Sequence, residues 1–395
     1  MWSVSRSMLG ITLFALSLAN TLLGERAQAQ NEPPSADGSQ TATEPLLKHR
    51  VSVRRDDLAG INRMVVTSDN AFLYAAPWRG DSIVAFKLGR SGTPDHVQSY
   101  SNPLLRGVIK LSLSPDEERL AGICLRSNTI LLFRRDVRNG KLTPDGFSRS
   151  NLTWPVSVTF SPDGTHLYVA DAGRSGASDE APSAIVAYRV SEGGGLEEID
   201  RVVHDDLQGT RDVLFDRQGR ICYACCSNAG CVLVFERDGD SGKLKHLQTI
   251  RDDASDATLL DGVHSGVLGP DGSRIYFVAG RFRGQSGVSV FNRNQDGTLA
   301  FSHQLVLNPD QFSGGNHLAV TPDEAHVFVS GTTGDSLAVI RQDISTASAK
   351  VLSYIPNQVD IVLDGPSGLT FDAEYKYLYV AAEDGSSLTM FDIVR

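Results

Sequence analysis

The sequence predicts an all-β fold: a seven-bladed β-propeller with four antiparallel strands per blade, its last blade closed by an N-terminal strand. Three observations predict it. A short turn phrase recurs seven times, each copy lies between two short apolar runs, and the copies are spaced by about fifty residues. The copies are Thr67–Asn70, Ser114–Glu117, Ser161–Gly164, Asp216–Gly219, Gly269–Gly272, Thr321–Glu324 and Asp372–Tyr375. From third residue to third residue the steps are 47, 47, 55, 53, 52 and 51 residues. A period of that size, built from strands and turns, marks a radial or stacked array of small sheets.

The third repeat shows the grammar. Pro155 to Ser161 is an apolar, β-branched strand. Pro162-Asp163-Gly164 turns the chain: Pro presets φ, Asp bonds the local backbone, and Gly tolerates positive φ. Leu167 to Ala170 is the second strand and Ala184 to Tyr188 the third. Glu192 to Gly195 then turns into the fourth, Leu196 to Val203. The other third strands are Ser82 to Leu88, Thr129 to Arg135, Val232 to Arg237, Gly287 to Arg293, Ser336 to Arg341 and Ser387 to Ile393. Turns such as Asn139-Gly140 and Asp296-Gly297 suit hairpins with a left-handed residue. The seventh repeat ends just after its third strand. The segment Leu46 to Arg54 precedes the first repeat, has no other partner, and is expected to supply the missing outer strand.

Residues 46–395 thus form one propeller domain. Ahead of it, Arg6, the apolar run Leu9 to Leu23 and the cleavage box Ala27-Gln28-Ala29 read as an export signal over residues 1–29. Residues 30–45 are rich in Pro, Ser, Thr and Gly and read as a flexible linker. A periplasmic or extracellular location follows, with no membrane span after signal cleavage. The acidic balance, 37 Lys and Arg against 47 Asp and Glu, argues against a nucleic-acid partner.

Of five cysteines, Cys222, Cys225, Cys226 and Cys231 cluster around one strand-turn-strand. Cys226 and Cys231 flank the turn, so an oxidising compartment would allow a disulfide across it. Cys124 and Cys222 read as small core residues. The paired C-x₂-C knuckles of a zinc site are absent.

The long connections fall on one face of the propeller: Asp171 to Ser183, Gly280 to Ser286, Arg251 to His264 and Pro356 to Ser367. The turn phrases lie on the other. Insertions concentrated on one face mark the working face, and the channel entrance there is the expected binding site. Residues just before a first strand or just after a second would surround it, among them Trp78, Arg106, Trp154, Arg211, Asp212, His264, Arg281, Asn316, His317 and Glu383. Arginines converging on a channel suit a carboxylate or phosphate ligand.

The phrase Ser-Pro-Asp-Gly-x-x-Leu-Tyr-Val-Ala at Ser161–Ala170, and Val232 to Leu244 with its Phe235-Glu236-Arg237-Asp238 centre, resemble the seven-bladed propeller lactonases, which include bacterial 6-phosphogluconolactonases and carboxy-muconate cyclases. The resemblance spans roughly residues 46 to 395. It implies hydrolysis of a lactone: a His or carboxylate activates water and Arg stabilises the oxyanion. On that reading His317 or His264 is the base, Arg211 and Arg281 are its electrostatic partners, and Arg106, Asp212, Asn316, Trp154 and Glu383 bind ligand. The scheme calls for no metal and no cofactor. The family's Gly-x-Arg-His lead is altered here to Gly315-Asn316-His317, with Thr332 near the expected Glu. Seven repeats and three Trp disfavour the six-bladed calcium and eight-bladed quinone propellers. The expected partner of the monomeric chain is a small sugar or aromatic lactone or carboxylate. The alternative is a non-catalytic propeller binding a ligand or a protein on its long-loop face.

Overall fold

The computed structural model describes residues 46–149, 151–174, 181–252, 259–280 and 285–394. The expected export signal and linker, residues 1–45, lie outside them. So does Arg281. The described chain forms seven four-stranded antiparallel sheets. Six contain consecutive strands. The seventh has the order Leu47–Arg54, Ser387–Ile393, Tyr377–Ala382, Pro366–Phe371, so the N-terminal strand closes the last blade as the sequence predicts.

The first strands of the blades are Ile61–Val66, Val108–Leu113, Pro155–Phe160, Thr210–Phe215, Val263–Leu268, Gly315–Val320 and Pro366–Phe371. Each touches the first strand of the next blade, and the seventh touches the first, so these are the inner wall of the ring. The core consists of seven apolar clusters, one between each pair of neighbouring blades. Second and third strands pack on both sheet faces, so they read as continuous apolar runs, as in Ile221–Cys226.

The turn phrase acts as expected and also joins blades. In the third blade Ser161 Oγ donates to Asp163 Oδ1 at 2.6 Å, and the Thr165 N–H donates to the same oxygen at 3.1 Å. The fourth residue of each phrase is left-handed, whether Gly164, Asn70, Glu117, Glu324 or Tyr375. Where the neighbouring blade has Pro at the second phrase position, Gly164 and Gly219 pack against Pro115 and Pro162. At two of the phrases that keep an N–H in that position, the next blade supplies an acceptor. Glu117 Oε1 receives Ser68 N at 2.7 Å, and Asn70 Oδ1 receives Ala373 N.

All five cysteines are buried thiols. Cys226 and Cys231 are opposed on the last rung of their hairpin.

Candidate functional site

Every inner strand carries a β-bulge at its second or third residue. A bulge leaves one residue unpaired and re-aims side chains. Here it lets two successive positions carry polar side chains in blades one, four, five and six, whereas Ile109 and Val156 pack into the apolar clusters between blades. The bulged positions are Asn62, Ile109, Val156, Arg211, His264 and Asn316 in blades one to six. The residues that follow them are Arg63, Lys110, Ser157, Asp212, Ser265 and His317, with Gly368 in the seventh blade.

The lower ring is a hydrogen-bonded chain centred on Asp212. Lys110 forms an ion pair with Asp212 from two blades away and donates to Ser157 Oγ at 2.9 Å. Ser157 Oγ donates to Asp212 Oδ1, and Ser265 Oγ to Oδ2, each at 3.0 Å. The Val213 N–H adds a third bond to Oδ1. Burial would raise the Asp212 carboxyl. The Lys110 ammonium, aided by Arg63, outweighs this and holds it below the ordinary value. Asp212 is thus an ionised, fully engaged anchor.

Above it lie groups whose needs are not met. Arg211 is buried enough that desolvation pulls its pKa down, and its Nε has no partner among the described residues. The His264 Nδ1 is likewise buried and unpaired. Burial first, then the charges of Arg211 and Arg63, push the His264 pKa down to about 3. Burial and Arg63 also hold His317 well below its usual value. The Leu369 N–H donates to His317 Nδ1 at 3.2 Å, which fixes the neutral tautomer with its proton on Nε2. Arg63 donates to Asn316 Oδ1 at 2.9 Å and forms no ion pair with a carboxylate among the described residues. Arg211, His264 and Asn316 share a cleft of about 580 Å³ with Ser227, Asn228, Thr332 and Thr333 from the second-to-third strand loops. Its walls therefore present one arginine, one neutral imidazole and neutral hydroxyls and amides.

The family model for lactonase, 7-bladed beta-propeller, matches residues 39–160, 143–255 and 265–395. The chain belongs to this lactonase family of seven-bladed propellers. A 6-phosphogluconolactonase of Erwinia tasmaniensis is 24% identical over 243 residues, 60% of this chain. The match spans 66% of that relative, slightly under two thirds of its length. Among solved structures, the Pseudomonas aeruginosa periplasmic gluconolactonase aligns with a TM-score of 0.67 at 17% identity, over 81% of this chain and 91% of that one. A putative 6-phosphogluconolactonase from Bacteroides fragilis aligns with a TM-score of 0.63 at 18% identity, over 78% and 86% of the two chains. At these identities the structural likeness speaks for the fold.

In this lactonase-family chain the expected site residues separate into three groups. Arg211, Asp212, His264, Asn316 and His317 come together at one end of the channel. Glu383 sits at the junction of blades seven and one, where it accepts from Asn62 Nδ2 at 2.9 Å and Trp78 Nε1 at 2.8 Å. Arg106 and Trp154 are exposed ahead of their strands and do not line the cleft. Arg281 lies outside the described residues. Sequence reasoning missed Arg63, Lys110, Ser157 and Ser265. A signal existed: Arg63, Lys110 and Asp212 each occupy the third position of an apolar inner strand, where a charge has no place unless the strands converge.

Proposed function

We propose that the chain is a lactone hydrolase working at the mouth of the channel between blades four, five and six. Family membership supports this reading, and one observation carries it. Two neighbouring side chains of the same cleft, Arg211 and His264, each bury a nitrogen with no partner among the described residues. Such a loss costs about 1–3 kcal/mol per group and is kept where a ligand makes the missing bond.

The lactone carbonyl would sit against Arg211. Its oxygen gains negative charge on attack, and a guanidinium in a partly dry cleft stabilises that charge more than the neutral ground state. His264 stays unprotonated throughout the neutral range, so its lone pair can accept the proton of the attacking water. Its basicity is low in the empty cleft. An anionic intermediate beside it would raise that basicity during the reaction. His317 Nε2–H and Asn316 would hold ring hydroxyls or a carboxylate. Lys110 and Asp212 neutralise each other and keep the floor rigid. The substrate class is a sugar or aromatic lactone. The N-terminal signal pattern supports an exported protein, and the periplasmic gluconolactonase of similar fold is consistent with that setting.

The test is hydrolysis of a panel of sugar and aromatic lactones by the purified chain, with Arg211→Ala and His264→Ala alongside. Turnover above the buffer rate, lost in both variants, is expected. Binding of lactones or their acids without turnover would replace the enzyme with a ligand-binding propeller.

A further inference from the structure

On the face opposite the proposed site, a polar latch recurs between blades. Its parts are a tyrosine at the third position of one blade's second strand, an arginine ending the next blade's third strand, and the first blade's turn aspartate. Between blades three and four, Arg237 donates from Nε to Tyr168 Oη and from Nη1 to Asp163 Oδ2, both at 2.8 Å. Arg237 Nη1 also donates to the Gly219 carbonyl at 3.0 Å. Between blades four and five, Arg293 repeats this with Tyr223 at 2.7 Å, Asp216 at 3.1 Å and the Gly272 carbonyl. Between five and six, Gln342 donates to Tyr276 Oη at 2.8 Å. Between one and two, Arg135 stands beside Tyr74.

The two positions change together. Where the tyrosine is Ala121 the latch position is Val190, and where it is Phe328 the latch position is Ile393. The junction of blades seven and one breaks the rule. Tyr379 is fully buried and donates to the Gly92 carbonyl at 2.7 Å, as Tyr74, Tyr168 and Tyr223 donate to glycine carbonyls, yet the latch position is Leu88. Asp372 matches Asp216 bond for bond. Its Oδ1 accepts from Lys376 N at 2.7 Å and Tyr377 N at 2.8 Å, as Asp216 Oδ1 accepts from Arg220 N and Ile221 N. The Asp216 Oδ2 then takes Arg293. The Asp372 Oδ2 accepts nothing among the described residues, although Asp372 is only 4% exposed. Between Asp372, Tyr379, Leu88, Asn70 and Gly92 lies a cavity of about 320 Å³.

We propose that this cavity binds a guanidinium cation from outside the chain, free or as a peptide arginine. The receptor is the one that other junctions satisfy internally: a carboxylate oxygen open to the cavity on a largely buried aspartate, a tyrosine oxygen with unused lone pairs, and a backbone carbonyl. The planar donors of a guanidinium reach all three, whereas a compact ammonium reaches fewer. Because the junction joins the two ends of the chain, occupancy tightens ring closure.

The test is thermal unfolding of the full chain in about 10 mM methylguanidinium chloride, far below denaturing levels, against equal methylammonium and potassium chloride. Methylguanidinium is expected to raise the midpoint by about 1–3 °C over both other salts. Asp372→Asn should abolish the rise. Leu88→Arg, which supplies the missing group, should melt higher in plain buffer and lose the response. If Leu88→Arg does not fold, calorimetric titration of the native chain and Asp372→Asn decides. A Gly-Arg-Gly amide tested in parallel distinguishes a peptide side chain from a free cation. Equal midpoints in all three salts would overturn the proposal. So would a response confined to Arg90→Ala, because Arg90 at the rim would then be the natural occupant.

Discussion

Arg63 of blade one donates to Asn316 of blade six at 2.9 Å, passing over the inner strand of blade seven. Gly368 lies beneath that crossing. A Cβ there would stand 2.5 Å from the Asn62 carbonyl and 3.1 Å from Arg63 Cα. The seventh position of the ring is therefore a glycine because the backbone of the next blade, at Asn62 and Arg63, stands against it.

Gly368→Ala should consequently displace Arg63. Overpacking of this kind costs about 1–3 kcal/mol, a few degrees in the melting midpoint. Lactone turnover should fall more steeply than stability, since Arg63 holds Asn316, which lines the cleft. Differential scanning calorimetry beside a turnover assay checks both. An unchanged midpoint would show that the strand can move aside.

Lys110→Met should leave Asp212 as an uncompensated buried charge and cost about 3 kcal/mol. Lys110→Met combined with Asp212→Asn should recover much of that loss. Asp212 is held below its ordinary pKa, so its contribution is complete above about pH 4 and lost as pH falls through the folded value. Denaturant titration of the single and double variants measures the coupling.

His264 acts in the same direction as Asp212, over a higher pH window. Its folded pKa is about 3 against 6.5 when free, so the unfolded chain takes up the proton first as pH falls. Stability should be flat above about pH 6.5 and decline by about 1.4 kcal/mol per pH unit between there and pH 3 from this residue alone. His264→Gln, which cannot be protonated, should make the profile shallower. Urea midpoints at a series of pH values read this directly. Superimposable profiles would contradict the burial of the ring.

Cys226 and Cys231 face each other across the hairpin whose turn supplies Ser227 and Asn228 to the cleft. Mild oxidation with diamide should form one intramolecular bond between them, a loss of two mass units mapped to that hairpin. Cys226→Ser should prevent it while Cys124→Ser does not. A bond involving Cys222 or Cys225 instead would disagree with the register.

Tyr168→Phe should cost about 1–2 kcal/mol by leaving Arg237 one acceptor short. Arg237→Met should cost more, because Asp163 and the Gly219 carbonyl lose their donor as well. Chemical denaturation of the two variants gives the order.

The blade count, the strand borders and the ring closure were legible because they depend on local chemistry. Gly164 and Pro162 turn the chain wherever they occur, and Val51 and Val53 need a partner strand wherever the domain ends. His264, Arg211, Asn316 and His317 were also legible, since each stands at the start of a first strand. Arg63 and Lys110 were not picked out. A regular strand would alternate its faces, and only the bulge ahead of each residue turns it to the channel.

The sequence by itself determined seven blades, their order and the face that carries the long loops, because turn and strand preferences act over a few residues and repeat. Only the tertiary structure decided which charges meet. Asp212 lies 102 residues from Lys110, and Asn316 lies 253 residues from Arg63. Closing the ring brings such pairs within hydrogen-bonding distance. It also decides which polar atoms lack a partner among the described residues, as His264 Nδ1 and Arg211 Nε do at one face and Asp372 Oδ2 at the other.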